Sequence, residues 1–409
     1  MTTSNNTPYL PYARQSIDDD DIAAVSAVLR GDWLTTGPAV EAFEGELLRR
    51  VGARYAVVCS SGTAALHLAT LALNLGPGDA AIVPATTFVA TANCVRYVGG
   101  EVLFADVDPA TGLMTEAGLA DAIGRAGALR LRAVLPVHMA GQCYAPAALR
   151  SVAQPHGLAI IEDAAHAIGT TYEAGGQRFA VGACAHSDQC VFSFHPAKTV
   201  TMAEGGAVTT NDPRLADRLR QFRTHGITRD AAQFANAAMA RDPSGRVNPW
   251  YHEMQELGFN YRATDLQCAL GLSQLRKLDR FVARRAALVR RYDERLAEFA
   301  PLIRPLGRMR DVSAGWHLYV ARIDFAALGR SRAAVMDALR ACGIGTQVHY
   351  IPVHRQPYYR ARYGAVSLPG ADEYYGQALS LPLYADMADG DVDRVAAALG
   401  EILRESGMP

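Results

Sequence analysis

One lysine is the strongest candidate for a catalytic residue. Lys198 lies in the stretch VFSFHPAKTVTMAEGG (191–206), just after an apolar run that predicts a buried strand. Long cationic side chains are rarely buried without a partner. Lys198 is therefore either a solvated loop residue or a catalytic amine. The residues at the ends of the other predicted strands help to distinguish the two.

Other reactive or ligand-binding residue types follow other apolar runs. Asp163 ends the run LAIIED, Phe88 comes soon after AIVP, and Ser193 lies in the run before Lys198. Gly62 and Thr63 open a predicted helix after YAVVC, where free backbone N–H groups could hold a phosphate. In an open parallel sheet ligands bind beyond the carboxyl ends of the strands. Each residue also has a structural alternative, since aspartate and small residues cap many helices.

Together these residue types meet the needs of one cofactor, pyridoxal phosphate (PLP). The lysine can form a Schiff base, the carboxylate can hold the pyridine nitrogen protonated, and the aromatic ring can stack on the cofactor. The helix start can bind the phosphate. The order of phosphate loop, aspartate and lysine is that of fold type I PLP enzymes.

The elements that must position these residues alternate along the chain. Short apolar runs occur at YAVVC, AIVP, EVLFAD, RAVLPVH, LAIIED, CVFSF and AVTT, and helical patterns separate the first five. Apolar strands alternating with helices predict an α/β fold with a mostly parallel sheet covered on both faces. A smaller C-terminal α/β domain follows.

The predicted domain organisation has three parts. They are a large cofactor-binding domain with the N-terminal segment (1–260), linking helices (261–300) and a small domain (301–409). Helices are predicted from IDDDDI and from Pro38 to Gly52, the four aspartates marking a helix start. In the small domain WHLYVARIDF and GTQVHY are predicted as strands, and DVDRVAAALGEILRE as the last helix. The loop 230–248 is predicted to be a mobile flap.

Composition excludes several classes of protein. The net charge of −1 gives no reason to expect nucleic acid or an anionic membrane as a partner. The polar start MTTSNNTPYL lacks a leader, and no apolar stretch is long enough to span a bilayer, so we expect a cytoplasmic protein. The seven cysteines are expected to be reduced thiols. Cys184, His186 and Cys190 do not have the spacing of a zinc site, so no metal is predicted.

The chain resembles the DegT/DnrJ/StrS nucleotide-sugar aminotransferases. The resemblance covers nearly the whole chain, through PYARQSIDDDDI, GDWLTTGP, SSGTAALHLA, TTFVATAN, EDAAHAIG, FSFHPAKTVTMAEGGAV, RTHGI, ELGFNYRATDLQCALGLSQL, QVHYIPVH and ALSLPLY. Within the family it is most similar to the transaminases that act on UDP-linked sugars in pseudaminic acid biosynthesis.

The resemblance implies roles residue by residue. Lys198 would form the Schiff base and move the proton, Asp163 would pair with the pyridine nitrogen, and Phe88 would stack on the ring. Gly62, Thr63 and Ser193 would hold the phosphate, His166 would lie near the ring hydroxyl, and Asn260 would reach the cofactor of the partner subunit in a homodimer. The sugar nucleotide would contact Tyr12, Asp32, Trp33, Leu34, Thr35, Gln347, Val348, His349 and Tyr350.

The implied reaction takes an amino group from L-glutamate to C4 of a UDP-linked 4-keto-6-deoxy-N-acetylhexosamine. Arg14, Arg229, His349 and Arg355 are candidates, by type and loop location, to face the pyrophosphate. The alternatives are an aminotransferase for another nucleotide-linked 4-keto sugar, of perosamine or 4-amino-arabinose type, and a non-catalytic helper of the same fold. A dinucleotide-binding dehydrogenase is disfavoured, because no G-x-G-x-x-G opens the first crossover.

Overall fold

A computed structural model describes residues 8–405, so the polar start 1–7 lies outside the described residues. The strands are β1 Tyr55–Cys59, β2 Asp79–Pro84, β3 Glu101–Ala105, β4 Arg130–Val134, β5 Ala159–Asp163, β6 Thr171–Ala174, β7 Gln177–Ala180, β8 Gln189–Ser193, β9 Gly206–Thr210, β10 Ile227–Thr228, β11 Glu253–Met254, β12 Ile303–Pro305, β13 Val312–Ser313, β14 Tyr319–Ile323 and β15 Ala378–Leu381.

The α-helices alternate with these strands over most of the chain. They are α1 Asp19–Arg30, α2 Pro38–Val51, α3 Gly62–Ala72, α4 Val89–Tyr97, α5 Glu116–Gly124, α6 Pro146–Ala153, α7 Pro213–Arg223, α8 Ala237–Ala240, α9 Asp265–Arg276, α10 Leu278–Leu296, α11 Phe325–Leu328, α12 Arg332–Ala341, α13 Pro357–Tyr363, α14 Pro369–Gln377 and α15 Asp389–Glu405. Every strand and helix named in the sequence analysis is present except the strand GTQVHY.

A seven-stranded sheet forms the centre of the molecule, in the order β1-β9-β8-β5-β4-β2-β3. Its pairs are parallel from β8 to β3, whereas β9 runs antiparallel to both β1 and β8. Alternate side chains enter opposite faces: Ile161 packs in the cluster with α3 and α4, and Ile160 packs in the cluster with α5 and α6. The predicted α/β class with a large, mostly parallel sheet is confirmed.

The first two helices pack on α9 and begin as their sequences predict. Asp18 and Asp21 form a capping box at the start of α1, and Asp21 is buried within 2.9 Å of the Lys277 ammonium. Pro38 is in the first turn of α2, and Gly52 ends it in the left-handed conformation with φ 80°. The aspartate run is thus a helix start, and part of it anchors α9.

The C-terminal part contains an antiparallel sheet in the order β12-β14-β15, packed against α10, α12 and α15. The segment GTQVHY does not form the predicted strand. It makes one isolated bridge, between Gln347 and Ser380, and then leads to Pro352, which has no N–H for a ladder. The predicted last helix is present as α15.

Arg285 on α10 is fully buried beneath this sheet. Its Nη1 donates to the carbonyl oxygens of His317 at 3.2 Å and Leu383 at 3.0 Å. The segment before β14 and the segment after β15 therefore bind the same guanidinium group. Burial lowers the pKa of Arg285 to about 10, which still leaves it protonated at neutral pH.

The predicted flap consists of short turns and the one-turn helix α8. The Glu253 carboxylate accepts hydrogen bonds from the backbone N–H groups of Ala235 and Asn236, at 2.7 and 2.8 Å, and so ties the segment together. Within residues 8–405, no helix is both long and apolar enough to cross a membrane.

Candidate active site

The start of α3 forms a backbone cup against the ends of β8 and β9. A Cβ on Gly62 would lie 2.7 Å from the Cβ of Ser193, and one on Gly206 would lie 2.3 Å from the carbonyl oxygen of Ser61. Only glycine allows this approach. Ser61 caps α3 by accepting from Ala64 N–H, which leaves the first amides of the helix available for an anion.

Asp163 ends β5 with its carboxylate held at both oxygens. Oδ2 accepts a hydrogen bond of 2.6 Å from the Thr91 hydroxyl, and Oδ1 accepts one of 3.1 Å from Ala165 N–H. The Thr91 oxygen lies 2.7 Å from the Thr87 hydroxyl, so Thr87 donates to Thr91 in a chain that ends on the carboxylate. Thr91 was not predicted, although TTFVAT places it four residues after Thr87, on the same side of the first turn of α4.

Lys198 lies in the turn between β8 and β9, where its backbone N–H bonds the His195 carbonyl at 2.8 Å. The chain has two lysines, Lys198 and Lys277, and Lys277 is engaged by Asp21. Burial lowers the pKa of the Lys198 amine to about 8, despite the opposing effect of the Asp163 charge. A substantial fraction of this amine is thus neutral and nucleophilic at physiological pH.

These groups open into one cavity of about 520 Å³. Its lining includes most of the predicted site residues: Tyr12, Gly62, Thr63, Phe88, Asp163, His166, Ser193, Lys198, Gln347, Val348, His349 and Tyr350. Phe88 precedes α4 with 56% of its side chain exposed, and its ring centroid lies 5.9 Å from that of Tyr350. The sheet edge and the 347–350 segment therefore form facing walls.

Three histidines meet in this cavity. The His166 ring centroid lies 4.4 Å from that of His317 and 6.5 Å from that of His349. Burial lowers the pKa of His166 and His317 well below the usual range and that of His349 to about 3, so all three imidazoles are neutral at physiological pH. His317 was not predicted, because an imidazole in the apolar stretch WHLYV is equally typical of a buried strand.

The 347–350 segment is held by β15 and α14. Gln347 and Ser380 exchange two backbone hydrogen bonds, His349 Nδ1 lies 2.8 Å from the Ser380 hydroxyl, and the Tyr374 hydroxyl donates to the His349 carbonyl at 3.0 Å. The neutral His349 imidazole can offer a hydrogen bond, and its role toward the pyrophosphate stays a prediction.

Several predicted residues lie elsewhere in the single chain. Asp32, Trp33, Leu34, Thr35 and Asn260 are exposed and do not line the cavity. Thr35 bridges Thr264, and Asn260 bridges Thr224, on the surface formed by these segments.

The three candidate arginines are also outside the cavity lining. Arg14 and Arg229 are exposed, and Arg355 pairs with Asp372 at 2.7 Å. Among residues 8–405, no arginine side chain of the single chain lines this cavity.

The three residues whose types suit zinc, Cys184, His186 and Cys190, are buried or hydrogen-bonded to other protein groups. Cys184 and Cys190 are buried, and burial raises the pKa of the Cys184 thiol to about 12. His186 Nδ1 lies 2.9 Å from the Tyr172 hydroxyl.

The cavity residues fit PLP in four ways. The Gly62 cup suits a phosphate, Asp163 is a fixed carboxylate, Lys198 is a partly neutral amine, and the buried His166 Nδ1 has no hydrogen-bond partner in the described part of the chain. A sequence profile of the DegT/DnrJ/EryC1/StrS aminotransferase family matches residues 15–400. The chain belongs to this family. Its members are PLP-dependent, so PLP is the cofactor.

Three solved structures share the fold over 97% of this chain. Helicobacter pylori PseC, an aminotransferase involved in pseudoaminic acid biosynthesis, is 27% identical with a TM-score of 0.84, over 97% of this chain and 100% of that one. The putative sugar aminotransferase Spr1654 of Streptococcus pneumoniae, in its PLP form, is 27% identical with a TM-score of 0.85, over 97% and 99%. DesV of S. venezuelae is 33% identical with a TM-score of 0.82, over 97% and 99%.

Proposed function

We propose that this aminotransferase transfers the amino group of L-glutamate to C4 of a UDP-linked 4-keto-6-deoxy-N-acetylhexosamine. The observation that carries the proposal is the meeting of Lys198, Asp163 and the Gly62 cup in one cavity. For the substrate, the support is the full-length similarity to PseC. Because the putative sugar aminotransferase Spr1654 is as similar to this chain as PseC is, at 27% identity, the second candidate is an aminotransferase for another nucleotide-linked 4-keto sugar.

Each residue has a task that follows from its position. When bound, PLP carries the amino group between the two substrates and takes up the electrons released when a proton leaves the substrate carbon. Lys198 Nζ accepts that proton and returns it, and its lowered pKa suits both steps. Asp163, fixed by Thr91, stabilises a proton on the pyridine nitrogen. The Gly62 and Thr63 amides, with Ser193, hold the phosphate.

The lysine assignment has a direct test, because the chain has only two lysines. Borohydride reduction of the PLP-loaded enzyme, followed by peptide mass spectrometry, is expected to label Lys198 alone. The matched variant Lys277→Arg should label normally, whereas Lys198→Ala should give no labelled lysine and no amination. Normal amination by Lys198→Ala would overturn the catalytic assignment and would favour the helper alternative.

The sugar assignment needs a substrate panel. Purified enzyme is assayed with UDP-, GDP- and dTDP-linked 4-keto sugars, with L-glutamate as donor. We expect the highest kcat/KM for the UDP-linked N-acetylhexosamine. A higher value for a GDP- or dTDP-linked sugar would replace the first candidate by the second.

We further propose a homodimer with shared sites. Trp33 and Leu34 are 56% and 50% exposed, and Trp250 and Leu257 are 73% and 77% exposed. Exposed large apolar residues that lie together are typical of an interface, so these residues are candidates for one. Asn260 lies among these segments, outside its own cavity, as expected for a residue that serves a partner.

Subunit mixing tests this arrangement. Lys198→Ala and Asn260→Ala homodimers are each expected to be nearly inactive. After exchange, a mixed dimer regains one intact site, so random mixing should restore about a quarter of the wild-type activity. No recovery after demonstrated subunit exchange would show that the sites are not shared.

A further inference from the structure

The Tyr350 hydroxyl meets one ring nitrogen of His166. The Oη and Nε2 atoms are 2.9 Å apart, and the two rings are 5.9 Å apart and nearly parallel, at 25°. His166 is 6% exposed. No residue in the described range 8–405 bonds the other ring nitrogen, Nδ1, or gives the Tyr350 hydroxyl a second partner.

One hydrogen lies between these two atoms, and the strengths of the possible donors and acceptors decide which atom carries it. A phenol O–H is more acidic than the N–H of a neutral imidazole, and an imidazole nitrogen is a better acceptor than a phenol oxygen. The stronger hydrogen bond therefore runs from the Tyr350 O–H to an unprotonated Nε2. The proton of the neutral ring then lies on Nδ1, which is buried and has no partner among residues 8–405.

We propose that Tyr350 is a positioning residue that holds His166 as the neutral tautomer with its proton on Nδ1. The inference rests on the proposed function only for what Nδ1–H then binds. That group is a buried donor in the wall of the cavity and needs an oxygen acceptor, and the bound cofactor offers one in its ring hydroxyl.

The surroundings of His166 keep it neutral, as this arrangement requires. Lys198, His317 and His349 face it across the cavity, and Tyr350 packs against its ring. Burial, together with the nearby Lys198 amine, lowers the pKa of His166, and burial raises the pKa of Tyr350. The Asp163 charge also opposes ionisation of the phenol. A neutral phenol and a neutral imidazole form the pair.

The tautomer can be read directly from histidine ¹⁵N resonances of the PLP-loaded enzyme. The His166 signals are assigned among the eleven histidines as those lost in His166→Gln. We expect a protonated Nδ1 and an unprotonated Nε2 over the neutral pH range. A protonated Nε2 in the loaded enzyme would overturn the proposal while leaving the borohydride labelling of Lys198, and hence the proposed function, intact.

Tyr350→Phe removes only the hydroxyl, so His166 should lose its tautomer preference. PLP affinity is expected to fall about five- to twentyfold, the usual range for one misoriented buried hydrogen bond. Tyr292→Phe is the matched control, since the Tyr292 hydroxyl makes an equally long bond of 2.9 Å to the Pro382 carbonyl, away from the cavity. A Tyr350→Phe enzyme with unchanged His166 resonances would overturn the proposal. The same holds if the control loses PLP affinity equally.

Discussion

Two adjacent carboxylates of β5 are buried on opposite faces of the central sheet. Glu162 is 2% exposed and Asp163 is 5% exposed. On the closed face, Glu162 Oε2 lies 3.2 Å from His138 Nε2, and the Tyr144 ring stacks on His138 at 4.7 Å and 14°. On the other face, Asp163 is held by Thr91 and borders the cavity.

The difference shows how the same chemical group becomes structural or functional. Burial alone would raise the pKa of Glu162, but the hydrogen bond and charge of His138 lower it by more than burial raises it. The Glu162 carboxylate is therefore ionised although it is buried away from the cavity. Asp163 is anchored equally well but keeps one side open to a ligand. We therefore expect changes at Glu162 to alter stability and changes at Asp163 to alter catalysis.

Asp163→Asn should have the largest effect. An amide cannot stabilise a protonated pyridine nitrogen, so we expect kcat to fall by at least about a hundredfold. The amide oxygen can still accept from Thr91, so the free energy of unfolding should change by about 1 kcal/mol or less. Steady-state kinetics and urea unfolding measure the two quantities. A variant with activity within about threefold of wild type would break the comparison.

Glu162→Gln should show the opposite pattern. Loss of the buried carboxylate that is hydrogen-bonded to His138 is expected to lower the free energy of unfolding by about 3 kcal/mol. The kcat of the folded enzyme should stay within about threefold of wild type, measured per mole of bound PLP at low temperature. If the folded variant were inactive with normal stability, the closed face would have to be assigned a catalytic role.

The two faces should also respond to opposite ends of the pH scale. Because the pKa of Glu162 is lowered in the folded state, its contribution to stability is present above the unfolded-state pKa and is lost as the pH falls through the lowered value. On the cavity face only the neutral Lys198 amine reacts, so the rate of covalent PLP uptake by the apoprotein should rise with pH and level off above about 8. Stopped-flow absorbance measures the uptake, and a rate independent of pH between about 6 and 10, two units on either side of that pKa, would contradict the assignment.

Thr91→Val should have the smallest effect. It removes the hydroxyl that bonds Asp163 and is expected to reduce kcat about fivefold, which corresponds to about 1 kcal/mol. Thr70→Val is the control, because the Thr70 hydroxyl is equally buried but bonds the His67 carbonyl. If both variants reduced kcat alike, the effect would come from general packing and not from the Thr91–Asp163 bond.

The sequence predicts the parts of this site that depend on short-range pattern. Apolar runs of strand length place Asp163 and Ser193 at strand ends, and the small residues after β1 mark the start of α3. The same pattern does not show that β9 runs antiparallel, because strand direction depends on the connection from β8. That connection contains Lys198 and no helix.

The C-terminal contributions could not be predicted from spacing. His317 and Tyr350 reach the cavity through the packing of β14, β15 and the 347–350 segment, which lie far from Lys198 in the sequence. The hydrogen bond between Tyr350 and His166 joins residues 184 positions apart. Such separations are bridged by tertiary contacts, which spacing does not show. The predicted strand GTQVHY is wrong because the segment pairs with β15 at Gln347 alone before it reaches Pro352.

The buried Arg285 limits how this enzyme can be recombined with its relatives. The Arg285 side chain does not line the cavity. Its guanidinium nevertheless donates to the carbonyl of His317, which lies in the cavity wall, and to the carbonyl of Leu383, which follows β15. A chimera that exchanged the C-terminal part without α10 would leave either an unmatched cation or unmatched carbonyls in the interior. Crossover points for changing substrate preference should therefore precede α10, so that the cation and its carbonyl partners are inherited from one parent.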